Sequence, residues 1–305
     1  MLKPTPILAL LLLGVTSAHP SRAEARVVGN LRVAHAEWAT QGVPTTRIDS
    51  LSKDSVMERY VYHGAFRFGR DSRERVMYLD SALMFLPHEA YLWQQKAMPL
   101  YKQMKYEAGE AFLDSAVKYD TTQNLDYRAF MECIFSKRYR ESLADFQLAK
   151  RMRPDAGVMD HEYNWYMGLC YLQLDKFDSA EQCFAACVKH DERLGKDWVH
   201  YMHTFYLGIV MYEEHRYADA IENFDRAIAR YPHFSDAKYY KSLCIMKLHD
   251  TKAALPTMIE ARDDFREGYT VNEDNAIYER YPYQLQADWA EMDVKAWEKE
   301  AAKAP

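Results

Sequence analysis

Residues Gly208 to Pro232 read GIVMYEEHRYADAIENFDRAIARYP, and the spacing inside this stretch decides the fold. Small residues stand at Gly208, Ala220 and Ala227, aromatic ones at Tyr217 and Phe224, and Pro232 closes the run. Those intervals are the intervals of an antiparallel helical hairpin, with small side chains where two helices approach closely. One hairpin cannot bury its own apolar face, so the stretch predicts further copies on both sides.

Copies are present. Ser55 to Pro87 is a degenerate one: Tyr60, Gly64 and Phe66 fall on its first helix, Leu79, Ala82 and Phe85 on its second. The turn Gly69-Arg70-Asp71-Ser72 between them offers Asp71 or Ser72 as an N-cap. Glu89 to Asp120 carries Trp93, Ala97 and Leu100, then Tyr106, Ala108, Gly109, Leu113 and Ala116. Asn124 to Pro154 carries Ala129, Cys133, Tyr139, Phe146 and Ala149, but Phe130 stands in the column where a small residue is usual, which leaves the register of that helix open by one. Glu162 to Asp191 carries Trp165, Gly168 and Tyr171, then Phe177, Ala180, Phe184 and Cys187. Tyr201 to Pro232 is the opening repeat, and Ser235 to Arg262, with Pro256 inside its second helix, is the last. Extra residues between Tyr139, Phe177 and Tyr217 fall in the connections Asp155 to Met159 and Arg193 to Asp197, and loops absorb such insertions cheaply. The segment Thr270 to Tyr283 (TVNEDNAIYERYPY) carries no hairpin pattern. Asp288 to Lys303 reads as a closing helix, with Trp289, Met292 and Ala296 on one face and Glu291 paired with Lys295.

A composition of 49% hydrophobic and 28% charged residues with only 11 Gly excludes a disordered chain and a membrane-spanning one. The net charge of −6 leaves no basic excess to replace the counterions of a nucleic-acid backbone, so no nucleic-acid partner is expected. Lys3, the apolar run Ile7 to Val15 and the small residues Thr16-Ser17-Ala18 have the form of a secretory signal peptide. No Cys follows that run to be acylated, so a periplasmic or secreted chain with no membrane span after cleavage is expected. The organisation reads as a signal peptide over 1–25, a lead-in over 26–54 with a short helix near Asn30 to Trp38, a repeat stack over 55–268 and a cap over 269–305. Cys133, Cys170, Cys183, Cys187 and Cys244 sit in apolar helix contexts and read as small buried hydrophobes, a bridge from Cys170 to Cys183 or Cys187 being the alternative.

From Ser55 to Arg262 the chain resembles the tetratricopeptide repeat (TPR) proteins, of an exported bacterial type. The resemblance rests on Gly168, Gly208, Ala97, Ala220 and Ala227 with their aromatic partners. It implies an all-α, right-handed solenoid of about six antiparallel hairpins with a C-terminal capping helix, the first helix of each pair lining a concave groove. The groove column then reads Tyr60, Gln94, Tyr127, Trp165, Phe205 and Tyr239, with Tyr101 and Tyr212 at a later groove position. Aromatics offer large rigid surface at small entropy cost, which suits a bound peptide. The chaperone-clamping members hold a carboxylate with Asn at columns that here carry Gly64, Met98, Met131, Leu169, Ile209 and Leu243, so that role is not expected.

Chemistry is sparse. His200 and His203 share a helix face with Asp197 one turn before, but a metal would need a further ligand and a shielded pocket. No phosphate-cradling glycine loop, GxSxG elbow or HExxH occurs. The expectation is a non-catalytic scaffold of the cell envelope or extracytoplasmic space, without cofactor or metal, that binds a protein or peptide partner. The alternatives are a glycan-binding module built on the aromatic ladder, as in the longer, acylated SusD-like proteins, and a metal-dependent enzyme.

Overall fold

Where the sequence places glycine in a first helix, the structure sets a phenylalanine ring of the second helix against its bare Cα. The structure is a computed structural model that describes residues 51–302, so the expected signal peptide and the helix near 30–38 lie outside the described residues. Packing divides the chain after Phe85.

The first unit opens with α1 (Lys53–Val56), which runs on as a π-helical turn (Met57–Tyr62) and, after a break, a 3-10 turn (Ala65–Arg67), before α2 (Arg73–Phe85). Ser72 Oγ accepts from Arg75 N at 3.2 Å and is the N-cap of α2. Val56, Val61, Ala65, Leu79 and Ala82 are buried, and Tyr60 stacks on Phe85 with ring centres 5.3 Å apart.

The second unit holds five hairpins in chain order: α3 (Ala90–Lys102) with α4 (Tyr106–Tyr119), α5 (Thr121–Met131) with α6 (Tyr139–Met152), α7 (Tyr163–Gln173) with α8 (Phe177–Leu194), α9 (Tyr201–Glu213) with α10 (Tyr217–Arg230), and α11 (Ser235–Leu248) with α12 (Thr251–Arg266). Each second helix packs on the first helix of the next pair, and α13 (Ala287–Ala301) packs on α12. The second unit is therefore an all-α repeat stack of five hairpins and a closing helix, and the first unit contributes one helical pair of its own.

A Cβ built on Gly168 would stand 2.6 Å from the Phe184 ring, and one on Gly208 2.8 Å from the Phe224 ring. Ala97, Ala129, Ala220 and Ala227 are fully buried at the corresponding close approaches. The offset at Phe130 has a structural cause. A π-helical turn (Glu132–Ser136) follows α5 and inserts one residue, so Ala129 takes the small position while Phe130 turns toward Tyr166, its ring centre 5.7 Å away. Ser142 Oγ donates to Ala129 O at 2.7 Å across this notch.

Three details differ from the sequence reading. The connection after α6 is not plain loop: β1 (Gly157–Val158) and β2 (His161–Glu162) pair antiparallel, turned by Met159 (φ 48°) and Asp160 (φ 66°). Two successive left-handed residues are the geometry of a two-residue hairpin turn. The closing helix buries Ala290, Val294 and Trp297, while Trp289 is 55% and Met292 69% exposed. Its Glu291 pairs with Arg266 of α12 rather than with Lys295. All five cysteines are buried and free, and the sulfur near Cys170 is that of Cys133, at 3.7 Å.

If the ring-on-glycine contact closes the hairpin, Gly208→Ala should cost about 1–3 kcal/mol by overpacking, read as a lowered urea midpoint. The cost should shrink in a Phe224→Leu background, where the ring edge is gone. An unchanged midpoint in the single variant contradicts the contact.

Candidate functional site

Two first helices are apolar on every side. Helix α7 (YNWYMGLCYLQ) has no charged residue, and α9 (YMHTFYLGIVMYE) has only Glu213, with Met202 through Met211 all buried. A helix of that kind needs cover all round. Neighbouring helices supply one side. Residues 269–286 supply the other.

Gly268 (φ 87°) ends α12 and turns the chain back. The outgoing limb passes Tyr201, whose hydroxyl accepts from Asn272 N at 3.1 Å, and brings Glu273 to His161. The far end meets the earlier hairpins, with Lys102 Nζ 4.3 Å over the Tyr278 ring and Lys137 Nζ donating to Arg280 O. The returning limb lays Tyr281 beside Trp165 (ring centres 5.9 Å apart). It then takes a 2.8 Å hydrogen bond from the Tyr206 hydroxyl onto Pro282 O and sends the Tyr283 hydroxyl to Glu213 at 2.7 Å. Both limbs end on one carboxylate. Asp236 Oδ2 accepts from Thr270 Oγ1 (2.7 Å) and Val271 N (3.2 Å), and Oδ1 accepts from Leu285 N (2.8 Å). The result is a loop of the Ω kind, its neck held by a fully buried Asp. Burial pushes the Asp236 carboxyl up to about 6 against the pull of these donors, so it is charged at neutral pH. Burial lowers the Lys137 ammonium to about 8, leaving it charged there as well.

Half of the expected groove column is buried within the chain itself. Trp165 is fully buried between His161 (ring centres 3.9 Å apart) and Tyr281. Phe205 is buried against Phe234, Phe224 and Tyr240. Tyr101 is buried against Tyr106, Phe135 and the Cα of Gly109. Tyr239 is buried with its hydroxyl donating to Asp293 of α13 at 2.6 Å. Gln94, Tyr127 and Tyr212 are half-buried, and Tyr60 belongs to the first unit. The residues that hold the loop are neighbours of that column: His161, Tyr201, Tyr206 and Asp236. The near-absence of charge in α7 and α9 is the sequence signal that could have found them.

Beneath the outgoing limb three imidazoles converge. His161 comes from β2, His200 from the N-cap of α9 and His203 from its first turn, with donor atoms all within 4.8 Å of one another. His203 Nδ1 lies 2.7 Å from Asp191 Oδ2, which also accepts from His200 N at 3.0 Å. Burial, then the neighbouring His161 and His203, lower His200 to about 4. Asp197, the expected companion, is fully turned to solvent and faces Arg230. A cavity of about 590 Å³ beside the β-hairpin is lined by His161, by Lys150, Lys189 and Arg193, and by Asp155, Asp160 and Glu162, so its walls favour neither sign of charge.

Asp236→Ala should strand two main-chain donors at the loop neck and cost about 2–6 kcal/mol, since each unsatisfied buried group costs roughly 1–3. Limited trypsin digestion of the folded variant should then cut after Arg280 faster than in the parent chain. Equal cleavage rates and an unchanged urea midpoint contradict the clamp.

Among the described residues no helix is long and apolar enough to cross a membrane. No curated protein matches the chain by sequence. Solved TPR structures do match by fold. Pseudomonas aeruginosa PilF superposes with a TM-score of 0.52 at 16% identity, covering 71% of this chain and 97% of that one. MamA of Desulfovibrio magneticus RS-1 superposes with a TM-score of 0.50 at 13% identity, covering 59% of this chain and 96% of that one. The family description "Tetratricopeptide repeat" matches residues 205–233, the stretch on which the reading began. Residues 205–233 thus form one tetratricopeptide repeat, and the hairpins around them share the all-α, TPR-like solenoid fold of those structures.

Proposed function

We propose that the chain is a non-catalytic protein-interaction scaffold working in an extracytoplasmic space, and that its first-helix face is a peptide-binding surface with residues 269–286 as its resident occupant. One observation carries this reading: the face holds those residues largely by their main chain. Asp236 takes Val271 N and Leu285 N, Tyr201 takes Asn272 N, and Tyr206 and Lys137 donate to Pro282 O and Arg280 O. Contacts to main-chain groups do not depend on which residues the peptide carries, so the same surface suits a partner segment that supplies aromatics at the Tyr281 and Tyr283 positions. The half-buried Tyr127 and Tyr212 of the groove column extend the surface beyond the loop.

The extracytoplasmic setting rests on the N-terminal run Ile7 to Val15 and the small residues after it. Glycan stacking is the weaker reading, because Trp165 and Phe205 of the ladder are fully buried.

The test supplies the loop in trans. A chain in which residues 271–284 are replaced by a Gly/Ser linker should bind a fluorescent peptide of sequence Tyr269 to Gln286 saturably and one to one. Binding should weaken about tenfold in a Tyr206→Phe background, since one hydrogen bond in a buried site is worth about 1.4 kcal/mol. Failure of the linker chain to bind the peptide, with its helicity intact, overturns the reading.

A further inference from the structure

Three histidines and a glutamate from four places in the sequence meet at the root of the loop, and the expected role of the repeat face gives them nothing to do. His161 is 7% and His203 5% exposed, and Glu273 lies on the loop's outgoing limb.

The geometry has the dimensions of a metal centre. The ring centres of His161, His200 and His203 stand 5.2, 5.4 and 5.8 Å apart. Imidazoles bound to a tetrahedral zinc at about 2.0–2.1 Å have ring centres about 5.2 Å apart and nitrogens about 3.3 Å apart. His161 Nε2 and Glu273 Oε2 are 3.2 Å apart, the separation of two neighbouring ligands on one such ion.

The hydrogen bonds leave two ring nitrogens free, and the third, His161 Nε2, meets Glu273, whose hydrogen bond a shared metal ion would replace. A carboxylate only accepts, so His203 Nδ1 carries the proton it gives to Asp191, and the lone pair sits on Nε2. That Nε2 is buried with no hydrogen-bond partner, and so is His200 Nδ1. Two unpartnered ring nitrogens on neighbouring imidazoles are costly in a protein interior unless something fills the space between them. Asp191 is placed as metal-site carboxylates are: it fixes the tautomer and orientation of His203 and holds the backbone of His200. Trp165 stacks on His161 at 3.9 Å and fixes that ring.

We propose that His161, His200, His203 and Glu273 bind a divalent transition-metal ion, zinc by preference, which fastens the loop to the β2 and α9 ends of the repeat face. The donor set of three nitrogens and one carboxylate, without a thiolate, suits zinc. It is too poor in oxygen for calcium or magnesium, which take six or more oxygen ligands. With Glu273 closing the shell, the site is structural in kind.

The test uses the full chain after chelator treatment, titrated with ZnCl2 in a calorimeter and, separately, with CoCl2 in a spectrophotometer. One tight zinc equivalent and the intense visible bands of tetrahedral cobalt are expected. Both should vanish in the His200→Ala/His203→Ala chain, while Glu273→Gln and Asp191→Asn weaken zinc binding about 10–100-fold. Zinc should also raise the melting temperature and slow amide exchange over 270–286. A parent chain that binds zinc no better than the double variant, or gives only the weak spectrum of octahedral cobalt, overturns the proposal without relying on any variant's folding. Tight zinc binding with no slowing of exchange in the loop overturns the fastening role.

Discussion

Everything in the stack depends on how closely two helices of one hairpin can approach. The limiting contact is a phenylalanine ring laid on a bare glycine Cα, Phe184 on Gly168 and Phe224 on Gly208. Any side chain at those glycines would hold the helices apart. Close approach in turn makes each pair thin enough for its neighbours to share one apolar core, which runs without a break from Ala97 on α3 to Trp297 on α13. Repeat proteins gain stability from such neighbour contacts, pair by pair, rather than from a central core.

The same economy leaves a problem on the other side. First helices whose outer surface is apolar cannot be left to water, and α7 and α9 are of that kind. The chain solves it with its own residues 269–286, which travel down the face and return. The buried charge of Asp236 sets both ends of the journey, since a carboxylate taken out of water must find donors and here finds Thr270, Val271 and Leu285. A repeat face that in other settings meets a partner is in this protein already in contact with peptide.

The helix pairs were legible because the notch pattern is local: Gly208, Tyr217, Phe224 and Ala227 lie within twenty residues and fix both helices and their register. The register at Phe130 was not, because a π-helical turn adds a residue without a compositional mark. The closing helix was found, but the face singled out in it, Trp289, Met292 and Ala296, is exposed, and Ala290, Val294 and Trp297 pack instead. The loop left no periodicity, since many of its bonds are to main-chain atoms and span up to 143 positions, as from Lys137 to Arg280. The histidine pair was seen, but its companions were not. His161 lies well before it in sequence and Glu273 far after, and only the folded stack and returning loop bring them together.

The central claim is that residues 269–286 are a built-in part of the repeat face, held at the neck by Asp236. Site-resolved amide hydrogen exchange of the full chain tests it most directly, at the two amides that Asp236 accepts. The account predicts that Val271 and Leu285 exchange as slowly as the buried amides of α9 although they lie outside any helix. Exchange of both at the rate of an open loop would contradict it.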